Sequence, residues 1–333
     1  DPKQGIEMMK LRLLAILTSL ALSACAGAAG NEADNASAAN AAAPNTSASN
    51  TATAQLPDAD PAMWVVRDED TTIYLFGTFH LLDGKADWFN DEIRVAFDQA
   101  QELVTEIDMR GGTQQMAIDM QPLIMQYAID PQRRKLSDVL TPEQNRILNE
   151  ALASMGAPPG AFDMFEPWFA SMTLSAVVAQ RLGMTGDHGA ETVLLRAAEG
   201  RNMTLGAVET LESQIRIFDG MPREAQIAQL KESIDNLDKM GSVLARMLEV
   251  WNSGDAEGME RIMNEGMREN SALRRALLEN RNRAWAEWID ERMDRPGVVF
   301  MAVGAGHLVG PDSVQVFLRQ RNIASERVPA LTQ

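Results

Sequence analysis

The chain has 333 residues, 45% hydrophobic and 23% charged, enough apolar material to bury a substantial core in one or two domains. Its formal net charge of −17, with no cluster of Lys and Arg, excludes nucleic acid as a partner, because phosphate binding depends on basic side chains that displace counterions. A single cysteine, Cys25, excludes an intrachain disulfide.

Residues 1–24 read as a signal peptide: Lys10 and Arg12, then the apolar run Leu13 to Leu22, then small residues. The run is too short to remain as a membrane-spanning helix. It ends Leu22-Ser23-Ala24-Cys25-Ala26, which resembles the bacterial lipobox, whose cysteine is lipidated and becomes the mature N-terminus. The competing reading is a signal cut elsewhere, with Cys25 incidental. Acyl chains on Cys25 anchor the protein, since each buried methylene contributes about 0.8 kcal/mol. Ala26 after the cysteine resembles sorting to the outer membrane of a Gram-negative cell, facing the periplasm. Residues 25–60 are mostly Ala, Asn, Ser, Thr and Pro with no aromatic side chain, Lys or Arg, so a disordered, lipidated tether is expected.

A folded domain is expected over 61–333. Trp64 to Arg67 and Ile73 to Phe76 are β-type runs separated by Asp68-Glu69-Asp70, the pattern of a hairpin. Ile93, Phe97 and Ala100 share one helical face within 91–101, and Leu103 to Asp108 reads as a strand with Val104, Glu106 and Asp108 on one side. From about 112 to 295 the pattern is mostly helical. Thr141-Pro142-Glu143-Gln144 predicts a capped helix start; further helices are expected over 187–199, 209–218, 223–251 and 255–293, with a strand at 203–208. Met240, Met247, Met259, Met263 and Met267 fall at helical spacing, the mark of a deformable core more than of a ligand box. After Pro296-Gly297 come a strand, a helix over 314–321 and a closing edge strand at 326–328. The fold class is therefore α/β (α+β): a mixed β-sheet built from the N- and C-terminal segments, with a large helical insertion as cap.

Two stretches carry the chemistry. Ile73 to Phe76 leads into Gly77-Thr78-Phe79-His80, and Val298 to Val303 into Gly304-Ala305-Gly306-His307. Two of only three histidines thus stand in the same context, an apolar strand followed by Gly-x-x-His. Ligands of open α/β sheets sit beyond the carboxyl ends of strands, where His80, Glu106 and His307 are all expected. Two imidazoles and a carboxylate can hold a divalent metal (Mn, Co or Zn) with open positions for water, and such a metal makes hydroxide near neutral pH. Gly77, Gly304 and Gly306 allow close backbone approach and positive φ, so that N–H groups could face an anion or oxyanion. Each histidine could instead be a hydrogen-bonded turn residue, and Glu106 a salt-bridge partner. His188, in Gly186-Asp187-His188-Gly189, reads as a surface or capping residue. No Gly-x-Ser-x-Gly elbow is present.

Taken together, Tyr74 to His80, Val104-Thr105-Glu106, Glu166-Pro167-Trp168, Gly189-Ala190-Glu191, Val208-Glu209-Thr210 with Gln214, Glu279 to Asn282, and Val303 to Gly310 resemble the TraB/PrgY/GumN family, over about residues 63 to 330. That family is grouped with the Tiki proteases and more distantly with erythromycin esterases and haem-binding lipoproteins. The resemblance implies a site made of both Gly-x-x-His motifs, a glutamate and an arginine, which fall on His80, His307, Glu106 and Arg281. Arg281 is singled out by the resemblance alone; from the residues it is one arginine among several on a helix. The implied activity is metal-dependent hydrolysis of a peptide, with Arg281 binding substrate or stabilising an oxyanion beside Glu106. The alternatives are sequestration of a peptide or pheromone without cleavage, and haem or iron binding involving Tyr74, His80 or Met residues.

Overall fold

A computed structural model describes residues 56–267 and 271–331. The signal peptide, Cys25 and the tether up to residue 55 lie outside the described residues. No helix among the described residues is long and apolar enough to cross a membrane.

Packing begins earlier than the composition suggests. Ala59 is buried, Ala59 N donates to Asp87 O, and Asp60 N donates to Asn252 O at 2.8 Å, so residues 58–60 belong to the folded body and not to a tether. The expected hairpin follows: β1 (Met63–Arg67) pairs antiparallel with β2 (Thr71–Thr78) in the register Met63 to Phe76. The turn between them is held by Asp68, whose Oδ1 accepts from the N–H groups of Asp70 and Thr71. Helix α1 (Asp91–Gln99) leads to β3 (Glu102–Thr105). Strand β3 stops three residues short of the alternation the sequence suggests: Glu106 is buried beyond its end, and Asp108 is exposed.

The insertion begins with α2 (Gly112–Leu123), which runs into a π-helical turn, Ile124–Ala128. Helix α3 (Pro142–Ala153) has the expected capping box, with Thr141 and Gln144 exchanging hydrogen bonds. It is followed by α4 (Pro167–Arg181), α5 (Ala190–Glu199), β4 (Thr204–Ala207) and α6 (Leu211–Asp219). The long helical pattern over 223–251 is broken at Asn236 into α7 (Arg223–Asp235) and α8 (Leu237–Asn252). The pattern over 255–293 resolves into α9 (Ala256–Met267), a short α10 (Ser271–Arg274), a π-helical turn Arg275–Glu279, and α11 (Asn280–Met293). Then come β5 (Gly297–Gly304), α12 (Val314–Gln320) and β6 (Glu326–Arg327).

The strand order is β4-β3-β5-β2-β1-β6, with β2, β5, β3 and β4 mutually parallel and β1 and β6 antiparallel at one edge. The C-terminal strand β5 is inserted between β2 and β3, so the ends of the sequence meet in mid-sheet as expected. The insertion is more than a cap, because it also supplies the edge strand β4. Alternate residues of the strands face two cores. Ile73, Leu75, Val104, Val299, Met301 and Val303 pack against Trp285 and Ile289 of α11 and Phe317 of α12. Phe76, Leu103 and Phe300 face the opposite layer, with α1 and the helical insertion. Met240, Met247, Met259 and Met263 are buried there, as core residues.

Candidate active site

Parallel register fixes where the site lies. Thr78 of β2 stands beside Gly304 of β5, and Thr105 of β3 beside both Ala302 and Ala207. The residues at and just beyond these positions, His80, Glu106, Gly304 to His307 and Glu209, therefore converge past the carboxyl ends of the parallel strands. Glu209 N donates to Glu106 O at 2.7 Å, which continues the β3–β4 pairing past the strands and sets the two glutamates side by side.

A cation fills the space between these carboxylates. Arg281, in the first turn of α11, donates from Nε to Glu209 Oε1 at 2.7 Å and from Nη2 to Glu209 Oε2 at 2.9 Å and Glu106 Oε2 at 2.7 Å. Its Nη1 donates to Leu277 O at 3.2 Å and contacts His307 Nε2 at 2.9 Å. All five guanidinium N–H groups are thus engaged. Because Arg281 can only donate, His307 Nε2 is the acceptor, and the ring proton sits on Nδ1 facing Asn282 Oδ1 at 2.5 Å. Asn282 is held in turn by its own donation to Asp312 O at 2.6 Å. Trp285 covers the group: its Nε1 donates to Glu209 Oε1 at 2.9 Å and its ring lies 4.3 Å from that of His307.

The electrostatics follow from these contacts. Burial pushes the Glu106 pKa up, but Arg281, the two histidines and the Gly304 N–H, which donates to Glu106 Oε1 at 2.7 Å, outweigh it and bring the carboxyl down to about 2. Burial, with Arg281 beside it, pushes the His307 pKa down to about 3, so the ring is neutral at pH 7. A carboxylate with so low a pKa is poorly matched to general-base work near neutral pH.

His80 is placed differently. Its Nδ1 is 2.6 Å from Glu191 Oε1, within ion-pair and hydrogen-bond reach, while Nε2 and Glu191 Oε2 are buried without a hydrogen-bond partner. Burial lowers the His80 pKa, but the neighbouring Glu191 carboxyl overcomes this and raises it.

The sequence-predicted residues thus come together, with altered roles. Glu106 is the salt-bridge partner that was the competing reading for it. Gly77, Gly304 and Gly306 all have ordinary φ; close packing, not positive φ, explains at least the first two. A Cβ on Gly77 would lie 3.1 Å from Ala305 Cα, and one on Gly304 3.1 Å from Glu106 Oε1. The anion that the Gly304 N–H faces is the protein's own Glu106. His188 is exposed, 3.1 Å from Thr185 Oγ1, and Tyr74 donates to Gln99.

The three-ligand metal set does not fit this arrangement. His307 has no free nitrogen, Glu106 accepts from Arg281, Gln214 and Gly304, and among the described residues no group of three or more His, Cys, Asp or Glu is spaced to hold a metal ion. The open donors are His80 and Glu191 Oε2. Sequence reasoning gave no role to Glu191, Glu209, Gln214 or Asn282. The available signal was that all four lie in stretches that carry the family resemblance, with Glu191 at a helix start after Gly189 and Glu209 just past a strand.

The family model for TraB/PrgY/gumN matches residues 62–327, the whole sheet and the whole site. The chain belongs to this family. It is 26% identical to the uncharacterised protein YbaP of Escherichia coli, over 58% of this chain and 71% of that one, and 25% identical to an uncharacterised protein of Treponema pallidum, over 78% and 80%. No solved structure matches the chain.

Proposed function

We propose that this TraB/PrgY/gumN protein is a hydrolase of the cell envelope, held to a membrane by lipid on Cys25, that cleaves a peptide or small ester with water activated by His80. One observation carries the reading: His80 Nε2 is buried beside the charged network without a hydrogen-bond partner. A buried polar atom without a partner costs about 1–3 kcal/mol, and such groups in a native fold point to a catalytic or ligand-binding role.

In the step this geometry supports, water gives a proton to His80 Nε2 while its oxygen bonds to the carbonyl carbon. The tetrahedral intermediate collapses with loss of the C–N or C–O bond, and the same proton passes to the leaving nitrogen or oxygen. His80 returns to its neutral form, and the products are an acid and an amine or alcohol. Arg281 holds Glu106 and Glu209 together and fixes the His307 tautomer; with all five N–H groups committed, it stabilises an oxyanion only if one of those bonds is exchanged. That commitment favours one second reading, capture of a peptide without turnover.

The test is the purified full chain on quenched fluorescent peptides and on p-nitrophenyl acetate, beside His80→Gln. We expect wild-type turnover and a kcat lowered about a hundredfold or more in the variant, with the fold retained. Peptide binding without turnover by both proteins establishes sequestration instead. Equal turnover by the two removes His80 from the chemistry.

A further inference from the structure

We propose that Glu191 is the positioning residue for His80, holding the imidazole with its proton on Nδ1 and its lone pair on Nε2. Its consequence for turnover rests on the hydrolase reading above; the pairing itself rests on geometry.

The N-terminus of α5 is pressed against the end of β2 more closely than any side chain at position 189 allows. A Cβ on Gly189 would lie 2.0 Å from His80 O and 2.8 Å from His80 C. Ala190 N, at the start of the helix, donates to Phe79 O at 3.0 Å. Strand end and helix start are therefore stitched together, and the next residue, Glu191, is delivered to the His80 ring. Thr78 Oγ1, on the same strand end, donates to Glu191 Oε1, the oxygen that lies 2.6 Å from His80 Nδ1. The helix start favours negative charge on Glu191. Oε1 is thus aimed and held from two sides, while Oε2 and His80 Nε2 are buried and unpartnered.

A carboxyl group beside Nδ1 draws the ring proton to that nitrogen, as an orienting carboxylate does for any imidazole base, and Nε2 is left to accept. The other charges that act on His80 are Glu106, from the end of β3, and Arg281, from α11, which oppose one another. Neither donates to its ring. Glu191 is the only carboxyl within ion-pair reach of it among the described residues.

The chain has three histidines, so imidazole 15N NMR on histidine-labelled full-length protein resolves each ring, with His80 assigned by its absence in His80→Gln. In the neutral ring we expect Nδ1 to be protonated and hydrogen-bonded and Nε2 to have a pyridine-type shift. Glu191→Gln should disturb that pattern while leaving His188 and His307 unmoved, and Gly189→Ala should disturb it while leaving His307 unmoved. On the same fluorescent peptides, Glu191→Gln should lower kcat about a hundredfold with little change in KM, and Glu191→Asp should recover part of it. A His80 proton on Nε2 in the wild type, or a spectrum unaltered by Glu191→Gln, overturns the proposal whether or not any substrate is cleaved. Absence of wild-type turnover with the expected spectrum overturns the hydrolase reading and leaves the pairing intact.

Discussion

Arg281 lies 6% exposed between two carboxylates and a neutral histidine, and its loss would strand Glu106 and Glu209 against each other. Removing one member of a buried pair costs about 3–5 kcal/mol, because the remaining charge has no compensation. Arg281→Met should therefore lower the melting temperature by on the order of 10 °C, measured by calorimetry. Arg281→Lys should cost less in charge but cannot restore five directed N–H groups, so it should remain clearly below wild type. A variant melting at the wild-type temperature would contradict this account of the network. At this scale the sequence was partly legible. The repeated Gly-x-x-His pointed to His80 and His307, but nothing local distinguishes an imidazole whose lone pair receives an arginine from one free to bind a ligand. That difference is made by Arg281, Asn282 and Glu191, each more than twenty residues from the histidine it touches.

Among the elements, the starts were more legible than the breaks. The capping box at Thr141 was readable because its residues are neighbours in sequence, and Thr141→Ala should cost about 1 kcal/mol by denaturant titration while leaving the site untouched. A loss of turnover in that variant would show that the α3 N-terminus is coupled to the site. The breaks at Asn236 and at the π-helical turn 275–279 were not legible, since the apolar spacing continues through both. The second break has a consequence at the site: Leu277, within the π-turn, presents its carbonyl to Arg281 Nη1, where a regular helix would direct it along its own axis. Strand β3 ends at Thr105 for a similar non-local reason, because Glu106 is drawn by Arg281, Gln214 and the Gly304 N–H.

In the whole molecule, the sheet order brings β5 between β2 and β3, so a single network spans segments that are 175 residues apart. Its protonation ties stability to pH. Glu106, held at about 2 against 4.5, contributes stability that is complete above pH 4.5 and lost as pH falls toward 2. His307, held at about 3 against 6.5, acts in the same sense: the unfolded chain takes up its proton as pH falls through 6.5, and the native chain only near 3. His80, raised, acts in the opposite sense, with a contribution complete below pH 6.5 and fading as pH rises through its folded value. The melting temperature should therefore fall between pH 6 and 3.5, with a shallower slope in His307→Gln; an equal slope in the two would remove His307 from the linkage. In the hydrolysis we propose, the chain's own His80, and not a metal held by His80, Glu106 and His307, activates water. The direct measurement is peptide turnover by full-length protein stripped of metal with a chelator and confirmed metal-free, beside His80→Gln treated alike. We expect turnover to be retained in the stripped wild type and lost in the variant. Turnover that vanishes on stripping and returns with Mn, Co or Zn would contradict it.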